Sequence, residues 1–228
     1  MNHDDEQRYA RQMTLSEIGE TGQQKLLKSR VMVIGAGGLG SPLLLYLAAA
    51  GVGTIGIIDD DRVELSNLGR QILHETSDIA RPKADSAKDA LLDINPNINI
   101  ITYNERIAAD NAADIIAEYD AVADGSDNFE TRYIVADTCS LLEVPLISGA
   151  VMGYQGQLST FTPYLSNEQP CYRCWHPEPK GGANNKSCSE SGVLGAVAGV
   201  IGSYQATEVL KTLLNIGCLL YTSDAADE

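Results

Sequence analysis

The stretch Val31-Met-Val-Ile-Gly35-Ala-Gly37-Gly38-Leu39-Gly40 decides the fold. A short apolar strand leads into the glycine pattern G-x-G-x-x-G, and an apolar helical stretch follows. Glycines let backbone N–H groups and a helix N-terminus face a phosphate chain. The next strand ends at Asp59, where a carboxylate is expected to meet a ribose hydroxyl. We therefore predict a nucleotide-binding loop; the alternative is that the glycines serve only the turn and helix packing.

Runs rich in β-branched residues alternate with helical stretches along most of the chain. This alternation predicts an α/β fold, a Rossmann-like doubly wound and mostly parallel sheet with helices on both faces. In such sheets, ligands bind at the carboxyl ends of the strands. The predicted strands are 31–35, 55–59, 98–102, 121–124 and 145–149, and the predicted helices are 39–50, 83–94, 111–118 and 129–142.

The composition is that of a folded globular domain, because 44% of the 228 residues are hydrophobic and 21% are charged. The formal net charge of −15 makes nucleic acid and anionic membranes poor partners, and we predict neither. Residues 1–12 are polar and charged and do not look like a signal peptide, so we expect a cytoplasmic protein.

Polar and cationic residues after the second predicted strand distinguish ATP from NAD. Asn67 and Arg70 lie in the block Ser66-Asn-Leu-Gly-Arg-Gln71, and Lys83 follows in Arg81-Pro-Lys83. A dehydrogenase needs no such cations near the phosphates. A nucleotidyl transfer does, because negative charge accumulates on the α-phosphate and on the leaving pyrophosphate. We therefore predict ATP as the bound nucleotide.

A carboxylate also follows the fourth predicted strand, which runs into Gly125-Ser-Asp127-Asn128. Mg²⁺ prefers oxygen ligands, and the carboxyl end of a strand lies at the expected ligand crevice. We therefore predict that Asp127 binds Mg²⁺. The alternative is that Asp127 caps the helix that begins at Phe129, and the two roles are compatible.

Together these motifs resemble the HesA/MoeB/ThiF family, the bacterial relatives of ubiquitin-activating enzymes. The resemblance runs from Arg8-Tyr-Ala-Arg11-Gln12 to Gly217 and includes GxGGLG, SNLxRQ, RPK, the Asp-Asn pair and CYRC. It implies ATP-dependent adenylylation of the C-terminal glycine carboxylate of a small ubiquitin-like sulfur-carrier protein ending in Gly-Gly. The product would serve molybdopterin or thiazole (thiamine) biosynthesis. It also implies a homodimer.

The resemblance implies roles for individual residues. Arg11 would reach the site of the neighbouring subunit, whereas from the residues alone it would be a surface charge of an N-terminal helix. Asn67 and Arg70 would contact the phosphates, Lys83 would neutralise the transition state, and Asp127 would hold Mg²⁺. The nucleotide-binding residues expected in total are Gly35, Gly37, Gly38, Gly40, Asp59, Ser66, Asn67, Leu68, Gly69, Arg70, Lys83, Asp127 and Asn128.

The cysteines give two further candidate sites. Cys171-Tyr-Arg-Cys174 has the spacing of half a zinc site. The resembled family has a second such pair near the C-terminus, so we expect Zn²⁺ in a full-length protein, whereas the missing pair argues against it in this chain. A redox dithiol is the alternative. In the thiazole branch of the family a cysteine at the position of Cys188 transfers sulfur, so Cys188 is a candidate catalytic residue, with a spectator role as the alternative.

We expect a single nucleotide-binding domain over residues 1–217. The segment 218–228, CLLYTSDAADE, resembles a translated sequencing adapter, and we expect it to be a non-native tail on a C-terminally truncated chain. Residues 192–214 are apolar and glycine-rich, but Gln205 and Glu208 interrupt them, so we predict a packing helix and not a membrane span. Gly195 and Gly199 would let another backbone approach that helix.

Two other functions explain part of the sequence. An NAD-dependent oxidoreductase would account for the glycine motif and Asp59, but not for the set Asn67, Arg70, Lys83 and Asp127. A truncated, non-catalytic module that docks a carrier protein would account for the missing C-terminal motif, but not for that intact polar set. The adenylyltransferase accounts for all of these residues.

Overall fold

The computed structural model describes residues 1, 3–166, 168–177 and 192–220. The strands are β1 (Arg30–Ile34), β2 (Thr54–Ile58), β3 (Asn99–Tyr103), β4 (Ala121–Asp124), β5 (Leu146–Met152) and β6 (Gln155–Phe161). The α-helices are α1 (His3–Met13), α2 (Gly19–Lys28), α3 (Gly40–Ala50), α4 (Lys83–Ile94), α5 (Ala112–Ile116), α6 (Phe129–Leu142), α7 (Tyr172–Trp175) and α8 (Gly195–Leu214). Two 3-10 turns, Leu65–Asn67 and Thr76–Asp78, lie between β2 and α4.

The strands form one sheet in the order β3-β2-β1-β4-β5-β6. Neighbouring strands are parallel except β5 and β6, which are antiparallel. In register, Val33 of β1 lies beside Ile57 of β2 on one side and Ala123 of β4 on the other. The strand order therefore reverses between β1 and β4, and the crevice at the carboxyl ends of these strands is where doubly wound sheets bind ligands.

Helices cover both faces of the sheet because its central strands are apolar on both faces. Val31 and Val33 belong to a core shared with α3, α4 and α8, whereas Met32 belongs to a core shared with α5 and α6. All three side chains are fully buried. Such continuous apolar runs are typical of parallel strands between two helical layers. The predicted fold class is confirmed.

The predicted elements agree with the observed ones to within a few residues, but the sequence analysis does not predict β6. The bounds of β4, α4 and α6 agree, and those of β1, β2 and β3 shift by one residue. The first three residues of β6 are exposed and the last four are buried, so the strand has no alternating pattern. Its polar start, Gln155-Gly-Gln157, carries no strand signal.

Helix α8 packs closely against other backbone through two glycines. A Cβ at Gly195 would lie 2.5 Å from the carbonyl oxygen of Gly69, and one at Gly202 would lie 2.3 Å from that of Leu39. Gly195 therefore makes the predicted close approach. Gly199 does not, because open space surrounds its Cβ position in the described chain, and Gly202 takes that role two turns after Gly195. Among the described residues, no helix has the length and apolarity needed to cross a membrane.

The segment expected to be a non-native tail lies partly within the described chain. The backbone N–H of Leu220 donates to Glu208 Oε2 at 2.9 Å, and its carbonyl accepts from the N–H of Thr160 in β6 at 2.6 Å. Residues 221–228 lie outside the described residues. The domain boundary after residue 217 stays a prediction.

Candidate active site

A cleft of about 970 Å³ lies at the carboxyl ends of β1 and β4, where the strand order reverses. Its walls are the loops after β1, β2 and β4 and the start of α8. The ionisable residues that line it are Asp59, Asp60, Asp61, Arg62, Glu64, Arg70, Lys83, Glu105, Arg106, Asp127 and Arg132. The cleft therefore joins a glycine-rich floor to charges of both signs.

The loop between β1 and α3 follows a path that side chains would obstruct. Gly35 has a φ angle of +91°, in the region that favours glycine. A Cβ at Gly40 would lie 2.0 Å from the carbonyl oxygen of Gly35, so the loop folds back on itself. Gly35, Gly37 and Gly38 line the cleft. Gly40, predicted with them, does not, because it packs behind the loop against Gly35.

Asp59 follows β2 and is bonded to the glycine loop. Its Oδ2 accepts from the N–H of Ala36 at 2.8 Å, and its Oδ1 accepts from the N–H of Asp61 at 2.9 Å. Burial raises the pKa of the Asp59 carboxyl, although Lys83 and the two N–H donors oppose that rise. Asp59 lines the cleft, as expected for a ribose-binding carboxylate. It also holds the loop in place, a role that the sequence does not reveal.

His74 supports the same loop from behind and carries no sequence motif. Its Nε2 lies 3.0 Å from the carbonyl oxygen of Ala36, and its Nδ1 lies 2.8 Å from Ser86 Oγ. The neutral ring fits both contacts, with Nε2–H donating to the carbonyl and Nδ1 accepting from the hydroxyl. Burial lowers the pKa of His74, which favours this neutral form.

Lys83 begins α4 and is only 5% exposed, although it carries a charge. Its Nζ donates to Asp61 Oδ2 at 2.7 Å, and Asp61 itself is largely exposed. An ammonium group has three N–H donors, of which the described chain pairs one. Lys83 therefore has donors left for an anionic ligand in the cleft that it lines.

Asn67 and Arg70 lie at the turn that follows the second strand. Asn67 is buried, and its Oδ1 accepts from the N–H of Glu64 at 3.1 Å, which fixes the turn. The guanidinium of Arg70 donates to the carbonyl of Ser66 at 3.1 Å. Ser66, Asn67 and Arg70 all line the cleft.

Leu68 and Gly69 were predicted with this group, but they do not line the cleft. The reason lies in the packing of α8, because the carbonyl of Gly69 faces the Cα of Gly195. The backbone between Asn67 and Arg70 therefore contacts a helix, and the two flanking side chains reach the cleft.

Asp127 and Asn128 have different surroundings. Asn128 caps α6, since its Oδ1 accepts from the N–H of Thr131 at 2.9 Å. The alternative that Asp127 caps this helix is therefore wrong. Asp127 is exposed on the cleft wall, and its carboxylate has no hydrogen bond or ion pair with any described residue. Such a carboxylate suits Mg²⁺, which prefers oxygen ligands.

Arg132 lies beneath the Asp127 loop, and the sequence analysis does not identify it. It is 8% exposed, and its guanidinium donates to the carbonyls of Ser126 and of Gly149, the latter at 2.8 Å. The signal that could have found it is its place in the first helical turn after Asp127, where it faces the same cleft.

Gln205 of α8 is a second side chain that the motifs do not mark. It is fully buried, and its Nε2 donates to the carbonyls of Asp124 and Ile147, both at 2.9 Å. It therefore joins the carboxyl end of β4 to the start of β5. The available signal was the presence of an amide in an otherwise apolar helix, because a buried polar group needs hydrogen-bond partners.

Of the remaining predicted residues, those that the structure describes do not line the cleft. Arg11 is exposed in the last turn of α1 and does not line it. Cys188 lies outside the described residues. Cys171 and Cys174 meet at the start of α7 with their Sγ atoms 3.4 Å apart. Burial would raise the pKa of Cys171, but hydrogen bonds with Cys174 and with backbone N–H groups lower it. The described chain supplies two thiols here, half of a structural zinc site.

Known proteins resemble this chain in sequence and in fold. The model of the ThiF family matches residues 9–225. The sulfur carrier protein adenylyltransferase of Thermus thermophilus is 48% identical over 212 residues, which cover 92% of this chain and 78% of that protein. The adenylyltransferase and sulfurtransferase MOCS3-1 of Zea mays is 49% identical over 210 residues, which cover 92% of this chain and 44% of that protein. The chain thus spans about half the length of the curated MOCS3 relatives that it matches.

Among solved structures, the crystal structure of Escherichia coli MccB has a TM-score of 0.81 at 23% identity. The match covers 95% of this chain and 64% of MccB. At this identity the likeness shows the fold alone. The family match over most of the sequence, with a relative that is 48% identical, shows that the chain belongs to the ThiF family.

Proposed function

We propose that the chain catalyses ATP-dependent adenylylation of the C-terminal glycine carboxylate of a ubiquitin-like sulfur-carrier protein. One observation carries the proposal: a single cleft brings together the glycine loop, Asp59, Arg70, Lys83 and Asp127. The names of the Thermus and Zea relatives support this reaction class. An NAD-dependent oxidoreductase would leave the cations of the cleft without a role.

ATP binds with its phosphates along the glycine loop and its ribose at Asp59. Gly35, Gly37 and Gly38 leave room for phosphate oxygens, and the N-terminus of α3 attracts anions. Each carboxylate oxygen of Asp59 accepts one hydrogen bond from the protein and has capacity for another, so a ribose hydroxyl can donate to it.

The attacking group needs no activation, because a C-terminal carboxylate has a pKa of about 3.5 and is ionised at neutral pH. Its oxygen attacks the α-phosphate, the bond to pyrophosphate breaks, and an acyl-adenylate forms. Negative charge accumulates on the α-phosphate and the leaving pyrophosphate. Asn67 and Arg70 contact the phosphates, and the ammonium of Lys83 neutralises the developing charge. Holding the two reactants in line supplies the rest of the rate enhancement.

Asp127 would hold the Mg²⁺ that accompanies ATP. Its carboxylate has no other partner in the described chain, whereas the side-chain oxygen of Asn128 already accepts from Thr131. Mg²⁺ would supply positive charge beside the phosphates. Zinc has no part in the proposed step, because the described residues offer only Cys171 and Cys174 of the four ligands that a structural site needs.

The partner is a carrier whose tail ends in Gly-Gly, as the resemblance to the family implies, and the name of the Thermus relative supports a sulfur carrier. The active unit is a homodimer in which Arg11, exposed and away from its own cleft, reaches that of the neighbouring subunit. The acyl-adenylate serves molybdopterin or thiazole synthesis alike. Sulfur transfer, through Cys188 or a second protein, is a later step.

The first test is ATP–pyrophosphate exchange with a carrier that ends in Gly-Gly and with the same carrier lacking its last glycine. Exchange is expected only with the intact carrier. Arg70→Ala and Asp127→Ala should each lower its rate about 100- to 1,000-fold, the usual loss when one charge-stabilising group is removed. Lys28→Ala, at the end of α2 and away from the cleft, is the matched cation control and should leave the rate unchanged.

Two results would contradict the proposal. Exchange that persists at the full rate in both cleft variants would assign the reaction to another site. No exchange with the intact carrier, while ATP still binds, would favour a carrier-docking module without catalytic activity.

A further inference from the structure

Arg132 contacts three elements at the wall of the cleft. Its guanidinium donates to the carbonyl of Ser126 in the loop after β4 and to the carbonyl of Gly149 in β5. It also lies close enough to Tyr172 of α7 to oppose the rise in the pKa of that hydroxyl that burial causes. Burying a charge is costly unless its donors are satisfied, and an apolar residue of similar size often stabilises a protein more. The position of this arginine therefore calls for a reason beyond stability.

Tyr172 is itself held firmly. It is 3% exposed, and its ring packs edge-on against Tyr133 at 5.7 Å and against Phe161 at 5.6 Å between centroids. Burial raises the pKa of Tyr172, so its hydroxyl keeps its proton and can accept from an N–H of Arg132. The aromatic packing thus sets the place of the hydroxyl, and the hydroxyl helps to set the orientation of the guanidinium.

The Asp127 carboxylate depends on its backbone for its position, because no described side chain or N–H group holds it. On its N-terminal side, the N–H of Ser126 donates to Asp124 Oδ1 at 2.9 Å, and the carbonyl of Ser126 accepts from Arg132. On its C-terminal side, Asn128 caps α6. Both peptide groups of Ser126 are therefore fixed directly before Asp127.

We propose that Arg132 is a positioning residue for Asp127, and that Tyr172 keeps Arg132 in the orientation that this requires. The inference rests on the proposed function, in which Asp127 holds Mg²⁺. A metal ligand must lie within about 0.5 Å of its productive position, and partners of the ligand normally provide this precision. Here the partner acts on the preceding carbonyl instead of the carboxylate. In this proposal Arg132 acts through the backbone before Asp127, and it is therefore a positioning residue and not a catalytic one.

The test measures Mn²⁺ binding in the presence of ATP, from the electron paramagnetic resonance signal of free Mn²⁺, with the full chain. Arg132→Met should weaken binding about 10- to 100-fold, as expected when a supporting partner of a metal ligand is lost. Arg132→Lys retains the charge and one donor and should recover part of the affinity. Tyr172→Phe keeps the packing and should weaken binding about 3-fold, the effect of one net hydrogen bond.

Arg30→Met is the matched control for lost stability. Arg30 begins β1 at the amino ends of the strands, away from the cleft, where its Nε donates to the carbonyl of Glu118 at 2.5 Å and its guanidinium lies over the Tyr119 ring at 5.3 Å. This variant should unfold more readily than the wild type and bind Mn²⁺ with unchanged affinity. If Arg132→Met does not fold, Arg132→Lys and Tyr172→Phe carry the test.

The outcomes separate this inference from the proposed function. If Asp127→Asn weakens Mn²⁺ binding but Arg132→Lys and Tyr172→Phe do not, Arg132 is a structural residue and the inference fails alone. If Asp127→Asn has no effect on Mn²⁺ binding, the metal site itself is misplaced and both fail. Exchange activity measured on the same Asp127→Asn protein then shows whether the reaction survives without that site.

Discussion

The two sides of the cleft are held by contacts of different range. On the glycine-loop side, residues 35–83, Asp59 reaches Ala36 across 23 positions and Lys83 reaches Asp61 across 22. On the Asp127 side, residues 124–132, Gln205 reaches the carbonyls of Ile147 and Asp124 across 58 and 81 positions. The side-chain hydrogen bonds of Asp59 and Lys83 thus stay within one continuous segment, against which α8 packs through backbone contacts at Leu39 and Gly69, whereas those of Gln205 reach the second side from a distant part of the chain.

This difference has an energetic consequence. Contacts between distant positions must offset a larger loop-closure entropy than local ones, so the hydrogen bonds of Gln205 should form later in folding and open more readily than those of Asp59 and Lys83. On the glycine-loop side, steric fit decides which substitutions are tolerated, because its backbone segments are in contact. On the Asp127 side, hydrogen bonding decides which substitutions are tolerated, because buried carbonyls need donors. Substitutions should separate these two effects.

The largest effect is expected for Gly40→Ala on the glycine-loop side. The added Cβ would lie 2.0 Å from the carbonyl oxygen of Gly35, and neither backbone segment can move without displacing β1 or α3. We expect the free energy of unfolding to fall by about 3 kcal/mol, measured by urea denaturation. Gly37→Ala is the control, since its nearest neighbour would lie at 3.7 Å. Equal stability of the two variants would show that steric fit does not limit this side.

A smaller loss is expected for Gln205→Leu on the Asp127 side. The leucine would leave the carbonyls of Asp124 and Ile147 buried without the donor that now serves them. The free energy of unfolding should fall by about 2 kcal/mol, the usual cost of unsatisfied buried polar groups. Gln24→Leu removes an amide from the surface, where Gln24 contacts Glu20, and should change stability little. Hydrogen exchange should also show faster opening of β4 and β5, and unchanged exchange there would weaken the comparison.

The smallest expected effect is on the pH dependence of the free energy of unfolding, and it concerns His74 on the glycine-loop side. Burial lowers the pKa of His74 in the folded protein, so the neutral ring stabilises the fold above the ordinary histidine pKa of about 6.5. That stability is lost as the pH falls from about 6.5 towards the lowered pKa, by at most about 1.4 kcal/mol per pH unit. His74→Gln should remove this part of the pH dependence. If the free energies of unfolding of the wild type and of His74→Gln diverged further as the pH rises above 7, this prediction would be wrong.

The fold was largely predictable because its signals are local. Apolar runs, the glycine motif and the proline before Lys83 each mark an element within a few residues. Strand β6 escaped prediction because its register comes from pairing with β5, for example Gly149 with Leu158, and not from its own pattern. Its exposed polar start is a strand only because it pairs with β5.

The site divides in the same way. Asp59 and Asp127 could be placed in the cleft because each lies shortly after a strand, and Asn67, Arg70 and Lys83 because they belong to motifs between β2 and α4. Arg132, Gln205 and His74 could not be found so easily, because each acts on a backbone carbonyl, and any residue type can supply a carbonyl. In these pairs the sequence shows the side chain that donates, but it does not show which backbone carbonyl accepts.

The two close contacts of α8 constrain how sequences of this kind can diverge. Gly195 lies against the turn before Arg70, and Gly202 lies against the start of α3, on one face of the same helix. A larger residue at either position would move the whole helix and so widen the other contact. Substitutions at the two positions should therefore covary among homologous sequences, whereas the residues at 39 and 69, which contribute backbone carbonyls to these contacts, and Gly199 on the open face should vary independently.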